Sequence, residues 1–280
     1  MKQNILVIGG TGKTGRRIVK LLNKLDYNVR VGSRTGTPAF DWHNTDGWTA
    51  ALEGIDAIYI TYQPDLAVPG ALAAIEDLVK VAKKQNVKKL VLLSGKGEKE
   101  AQLCEQVVIH SGLEYTIVRA NWFNQNFSEN FLVEGILGGH VALPFAEAKI
   151  PFVDANDIAE VAVKALTEDS HNGNIYELTG AEGLTFEEAV GIIAKASGRS
   201  ILFTGISIDA YVSAMRQQEI SEDFIWLVQY LFTEVLGNPN NSEVTHDIEK
   251  VLGRKPISFN EYVEKTVGSG VWDAPVNQFD

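Results

Sequence analysis

Residues 5–15 read Ile5-Leu6-Val7-Ile8-Gly9-Gly10-Thr11-Gly12-Lys13-Thr14-Gly15, and this stretch decides the fold. Four apolar residues in succession suit a strand buried on both faces. Beyond the glycines, Ile18, Leu21, Leu22 and Leu25 recur at helical i, i+3, i+4, i+7 spacing. A strand, a glycine turn and a helix in that order have a specific use. The chain must turn tightly, the backbone must approach a pyrophosphate, and the helix must pack close to the strand. The helix N-terminus then turns its N–H groups and partial positive charge toward the phosphates. Gly9, Thr11, Gly12, Lys13, Thr14 and Gly15 are therefore expected at a dinucleotide cofactor.

Outward from this turn, strand and helix patterns alternate. Short apolar runs at 29–31, 57–61, 90–93 and 115–118 read as strands, and 68–84 and 98–110 as helices. The predicted fold class is α/β, a Rossmann-type doubly wound parallel sheet with a smaller, mostly helical C-terminal lobe. Right-handed crossovers bring every strand's C-terminal end to one edge. After residue 120 the pattern becomes irregular. Short strands are expected at 152–153 and 175–178, and helices at 157–166 and 185–197. Thr185 would cap the last of these, with Glu188 three residues on. The expected division is a cofactor-binding domain over 1–150, its sheet taking in the strands near 152 and 175, and an interleaved substrate lobe over 151–280.

The end of the second strand bears on cofactor choice. An acid about 20 residues beyond the turn holds a ribose 2′-hydroxyl in NAD-type units. Here the residue 19 positions past Gly15 (34 − 15 = 19) is Arg34, preceded by Ser33. A guanidinium and a hydroxyl suit a 2′-phosphate. NADP(H) is the expected cofactor, with NAD(H) left open. The 280 residues carry a net charge of −11, which repels phosphate backbones and argues against nucleic-acid partners. One cysteine, Cys104, precludes an intrachain disulfide and suits the cytoplasm. No histidine pair has metal-ligand spacing, and no apolar stretch approaches membrane-spanning length.

The 9–15 turn, Phe40-Asp41-Trp42, Leu92-Leu93-Ser94-Gly95, the run Arg119-Ala120-Asn121-Trp122-Phe123-Asn124-Gln125-Asn126, and 151–159 (PFVDANDIA) together resemble the NmrA-like family of atypical short-chain dehydrogenases/reductases. That family includes NADPH-dependent quinone and dye reductases, ergot-alkaloid-type dehydrogenases, and redox sensors that bind cofactor without catalysis. The resemblance implies that Asp41 lies near the adenine. It places Thr61, Tyr62 and Gln63 along the path to the nicotinamide, beside Ser94 and Gly95. Ser94 would take the position of the catalytic serine in ordinary short-chain dehydrogenases; Tyr62 is the other catalytic candidate.

Ordinary members of that superfamily also use a Tyr-x-x-x-Lys proton relay, and none occurs here. Two readings stand. One is a reductase passing hydride to a small conjugated acceptor (a quinone, an iminium ion or a dye) that needs little acid help. The other is an NADP(H) sensor acting through a protein partner. Trp122, Phe123 and Asn124 are the expected substrate-pocket residues; Phe145 and Tyr230 fall in the lobe as pocket wall or core, and Phe224 and Trp226 are expected in its core. A homodimer is compatible with the chain.

Overall fold

The computed structural model describes residues 2–274. In chain order the elements are β1 (Asn4–Ile8), α1 (Lys13–Lys24), β2 (Asn28–Gly32), α2 (Trp48–Leu52), β3 (Ala57–Ile60), α3 (Ala71–Lys84), β4 (Lys89–Gly95), α4 (Lys99–Ile109), β5 (Glu114–Ala120), α5 (Asn126–Glu129), α6 (Leu132–Leu137) and β6 (His140–Leu143). There follow α7 (Ala155–Thr167), β7 (Asn174–Leu178), α8 (Phe186–Ser197), β8 (Leu202–Gly205), α9 (Ile208–Gln217), α10 (Glu222–Tyr230), α11 (Asp247–Leu252) and α12 (Phe259–Val267). The last turn of α10 runs on as a π-helical segment, Leu231–Leu236.

The chain forms two compact units. The first takes the chain up to Ala120, then Ala155–Leu178 and Asp247–Arg254; the second takes Asn121–Asp154, Thr179–His246 and the chain from Lys255 onward. The division is discontinuous: α7, β7 and α11 belong to the first unit.

That first unit is a six-stranded parallel sheet in the order β2-β1-β3-β4-β5-β7. From β1 the chain steps outward to β2, then crosses back to β3 on the other side of β1. The order thus reverses between β1 and β3, and ligands bind at such switch points, outside the carboxyl ends of the strands. Residues Ile5 to Ile8 are all at most 1% exposed, as a strand covered on both faces requires. Leu6 and Ile8 join Ile58, Ile60, Leu90 and Leu92 in one core with α3 and α4, while α1 packs with α7.

The second unit is held by aromatic packing among Phe127, Phe152, Phe186, Phe232, Phe259 and Trp272. The Trp272 indole donates to the Phe127 carbonyl at 2.8 Å. Thr185 and Glu188 close the expected capping box at the start of α8. Three expectations change. Phe224 and Trp226, expected in the core of the lobe, are exposed on α10. The 152–153 segment is no strand of the sheet: Val153 makes one bridge to Phe123, and Phe152 packs into the aromatic core. The lobe also contains a small parallel sheet, β6 beside β8. Four residues per strand are too few for alternation to show in the sequence.

Candidate active site

The glycine turn lies at the switch point, and its geometry shows what each glycine does. Gly9 has φ +68°, and a Cβ there would lie 2.5 Å from Thr61 Cγ2 on the loop after β3. The two switch-point loops therefore touch only because residue 9 lacks a side chain. At Gly15 a Cβ would overlap the Gly9 carbonyl, so this glycine lets α1 start against the turn. Gly12 differs. Its backbone is extended (φ −77°, ψ −177°), and a Cβ would meet only the Gly9 carbonyl oxygen, at 3.2 Å. Thr11 and Gly12 are exposed. No side chain caps α1, and no acid stands in its first turn. An extended, open turn at an uncapped helix N-terminus fits a pyrophosphate. Thr14 contributes differently: its hydroxyl is buried and accepts from Tyr59 at 2.9 Å, pinning α1 to β3.

At the end of β2, Arg34 is exposed and has no ion-pair partner among the described residues. The Ser33 carbonyl accepts from the N–H groups of Gly36 (3.1 Å) and Phe40 (2.9 Å), which folds the loop back on itself. Next comes an aromatic knot. Phe40 stacks on Trp48 at 5.2 Å, Trp42 stands edge-on to both, and Tyr62 lies 4.8 Å from Trp42. The Trp42 indole donates to the Thr61 carbonyl at 3.1 Å, and the Trp48 indole to that of Asp41 at 2.7 Å. The knot thus holds Asp41, Thr61 and Tyr62 together at the switch point; Gln63 is exposed beside them. Burial raises the Tyr62 phenol above its ordinary value, and no lysine partner offsets this, so it is a poor acid as it stands.

Ser94 is tied into a buried network. Its hydroxyl donates to Glu105 Oε1 at 2.7 Å, and Glu105, on α4, is 0% exposed. Arg119, at the end of β5, grips that carboxylate through Nε (2.9 Å) and Nη2 (2.6 Å) and reaches Glu177 at 3.1 Å. A buried carboxylate persists only when its charge is matched in this way. Serine, glutamate and arginine therefore act as one clamp across β4, α4 and β5. Glu105 escapes sequence reading because its partners come from two strands.

A second pair went equally unseen. The Asp65 and Glu98 carboxyls, on the loops after β3 and β4, hydrogen-bond to each other. Neither group can donate when ionised, so the pair holds a proton. Glu98 is buried, and its Oε1 fills the place where a side chain at Gly95 would begin. Burial, first of all, raises the affinity of both carboxyls for protons. A raised carboxyl favours the folded chain below the ordinary carboxylate range, and that advantage disappears as pH climbs through the folded value. The Glu98→Gln variant is therefore expected to match the parent's melting temperature near pH 4 and exceed it near pH 8 by roughly 2–4 °C. An equal or lower value at pH 8 would contradict the shared proton.

Trp122, Phe123 and Asn124 lie in the second unit. Asn124 is 0% exposed, with its N–H bonded to the Val153 carbonyl at 2.9 Å, so it forms no pocket wall. Trp122 is half-buried, edge-on to Phe186 and Phe232. Back in the first unit, Asp157 is buried and paired with Arg254 at 2.7 Å. Cys104 packs in the core, its thiol pushed up to about 11 by burial. Among the described residues no cluster could hold a metal ion, and no helix is long and apolar enough to cross a membrane.

A glycine cradle at a switch point calls for comparison with known cofactor proteins. The model of a family described as NAD(P)H-binding matches residues 9–169. The chain belongs to this NAD(P)H-binding family. An uncharacterised oxidoreductase, YesF, of Bacillus subtilis is 32% identical, covering 94% of this chain and 95% of that one. Festuclavine dehydrogenase of Aspergillus fumigatus is 30% identical, covering 93% and 97%. Among solved structures, the NADPH complex of the Escherichia coli quinone oxidoreductase QOR2 superposes with a TM-score of 0.79 at 18% identity, over 93% of this chain and 99% of that one. This family member is an NAD(P)H-dependent oxidoreductase.

Proposed function

We propose that the protein is an NADPH-dependent reductase that passes hydride to a small conjugated acceptor of quinone, iminium or dye type, without a Tyr-x-x-x-Lys relay. The observation that carries this reading is the state of Ser94. Its hydroxyl is committed to the buried Glu105, which Arg119 neutralises. A serine held in this way stabilises the end of β4 and does not polarise a ketone through a neighbouring tyrosine. Acceptors that spread or neutralise the incoming charge do not require such help. The quinone oxidoreductase, named for an acceptor of this kind, supports the choice.

The 9–15 turn would hold the pyrophosphate, Ser33 and Arg34 the 2′-phosphate, and Asp41 the adenine side. Thr61, Tyr62, Gln63 and Gly95 would line the nicotinamide path. When bound, the cofactor supplies the hydride. The proton completing the reduction comes from water. The single buried cysteine suits a cytoplasmic setting.

The test is a calorimetric titration with NADPH and NADH, followed by NADPH oxidation with a panel of quinones, iminium ions and cationic dyes. The expected result is tighter binding of NADPH than NADH, with turnover of at least one acceptor class. Tight binding without turnover of any acceptor would overturn the reading in favour of a cofactor sensor.

A further inference from the structure

Three unusual features of the second unit meet at one ring. The buried Phe232 lies in the π-helical segment Leu231–Leu236. Such segments are rare, and they occur frequently at functional sites. Three half-buried rings surround Phe232: Trp122 edge-on at 5.2 Å, Tyr211 edge-on at 5.6 Å, and Phe145 roughly parallel at 6.4 Å. Phe145 has φ +54°, a left-handed backbone that a bulky side chain adopts only under constraint. The neighbouring chain makes room for it: at Gly237 a Cβ would stand 3.1 Å from Phe145 Cε1. Tyr211, on α9, is the polar member of the group. Burial raises its phenol above the ordinary value, and its hydroxyl has no hydrogen-bond partner among the described residues. The ring is only partly buried and the hydroxyl is not enclosed, so it is open to a ligand.

We infer that Trp122, Phe145 and Tyr211, set around Phe232, form the face that receives the acceptor, with the Tyr211 hydroxyl donating a hydrogen bond to an acceptor oxygen. The inference rests on the reading of the protein as a reductase of conjugated acceptors and narrows it to a class. Flat ring faces take a planar conjugated body. The unpaired phenol selects, among such bodies, those carrying a carbonyl or comparable oxygen. Quinones therefore fit better than triphenylmethane cations, which present no such oxygen. The constrained backbone of Phe145, whose ring lies against the same Phe232, fits the same use.

The experiment compares the parent with Tyr211→Phe, which keeps the ring and removes only the hydroxyl. Equilibrium dialysis with 1,4-naphthoquinone, without cofactor, reads binding directly. Steady-state kinetics with the same quinone and with a triphenylmethane dye reads it during turnover. The expected result is naphthoquinone binding and KM weakened about tenfold, as one lost hydrogen bond allows. Dye KM, NADPH affinity and melting temperature should stay unchanged. No naphthoquinone binding by the parent, or equal binding by both proteins, would overturn the inference. The dialysis arm does not depend on turnover, so a parent that binds quinone yet reduces nothing would refute the reductase reading while leaving the face intact.

Discussion

A Gly12→Val protein is expected to fold like the parent and to lose NADPH affinity by about a hundredfold or more, ~2.7 kcal/mol. The fold should survive because the φ and ψ of Gly12 are open to any residue and its Cβ would meet one atom only, the Gly9 oxygen at 3.2 Å. The hydrogen bond from the Gly12 N–H to the Gly9 carbonyl, 2.8 Å, involves no side chain. What valine does fill is the open space before the first turn of α1, where the phosphates must come within hydrogen-bond reach of the backbone. Gly15→Ala serves as the contrast. There the new methyl overlaps the Gly9 carbonyl itself, so the turn should be lost along with the binding. Circular-dichroism melts paired with calorimetry separate the two. A folded Gly12→Val protein with normal affinity would remove the turn from the site.

The second large effect is one of selectivity. Arg34→Ala should weaken NADPH roughly tenfold to a hundredfold and leave NADH within about twofold of the parent. A hydrogen bond to a charged group contributes about 1.5–3 kcal/mol, and each 1.4 kcal/mol is about tenfold. Arg34 is exposed and has no carboxylate to pair with among the described residues, so its removal should cost little stability. Only NADPH carries the 2′-phosphate that a guanidinium grips. Titrating both cofactors into both proteins decides it, and an equal loss for NADPH and NADH would refute the 2′-phosphate role.

The strand, glycine turn and helix at 4–24 were legible in the sequence because the information is local. An apolar run, closely spaced glycines and a helical repeat sit side by side, and the strand pattern around them points to the parallel sheet that the structure shows. What escaped depends on contacts distant in sequence. Asp65 and Glu98 stand 33 residues apart (98 − 65 = 33) and meet only because β3 and β4 are neighbours in the sheet. Ser94 read as a catalytic position, yet its chemistry is set by Glu105 on α4 and Arg119 on β5. The strands β6 and β8 left no signal at four residues each, and Asn124 gave no sign that it would be buried. Phe145 read only as an aromatic of the lobe. Its positive φ is a property of the folded backbone, which no periodicity reports.

The division of the chain has a consequence during synthesis. Five strands of the sheet are complete at Ala120, but the strand that covers β5 ends at Leu178, 58 residues later (178 − 120 = 58). At elongation rates of about 5–20 residues per second, the nascent chain carries an open sheet edge for about 3–12 s. An unpaired edge strand is a template for another chain. On a crowded polysome the neighbouring chain is an identical one, so the yield of native protein should depend on translation speed through residues 121–178 and on chaperones that shield β5 during that interval.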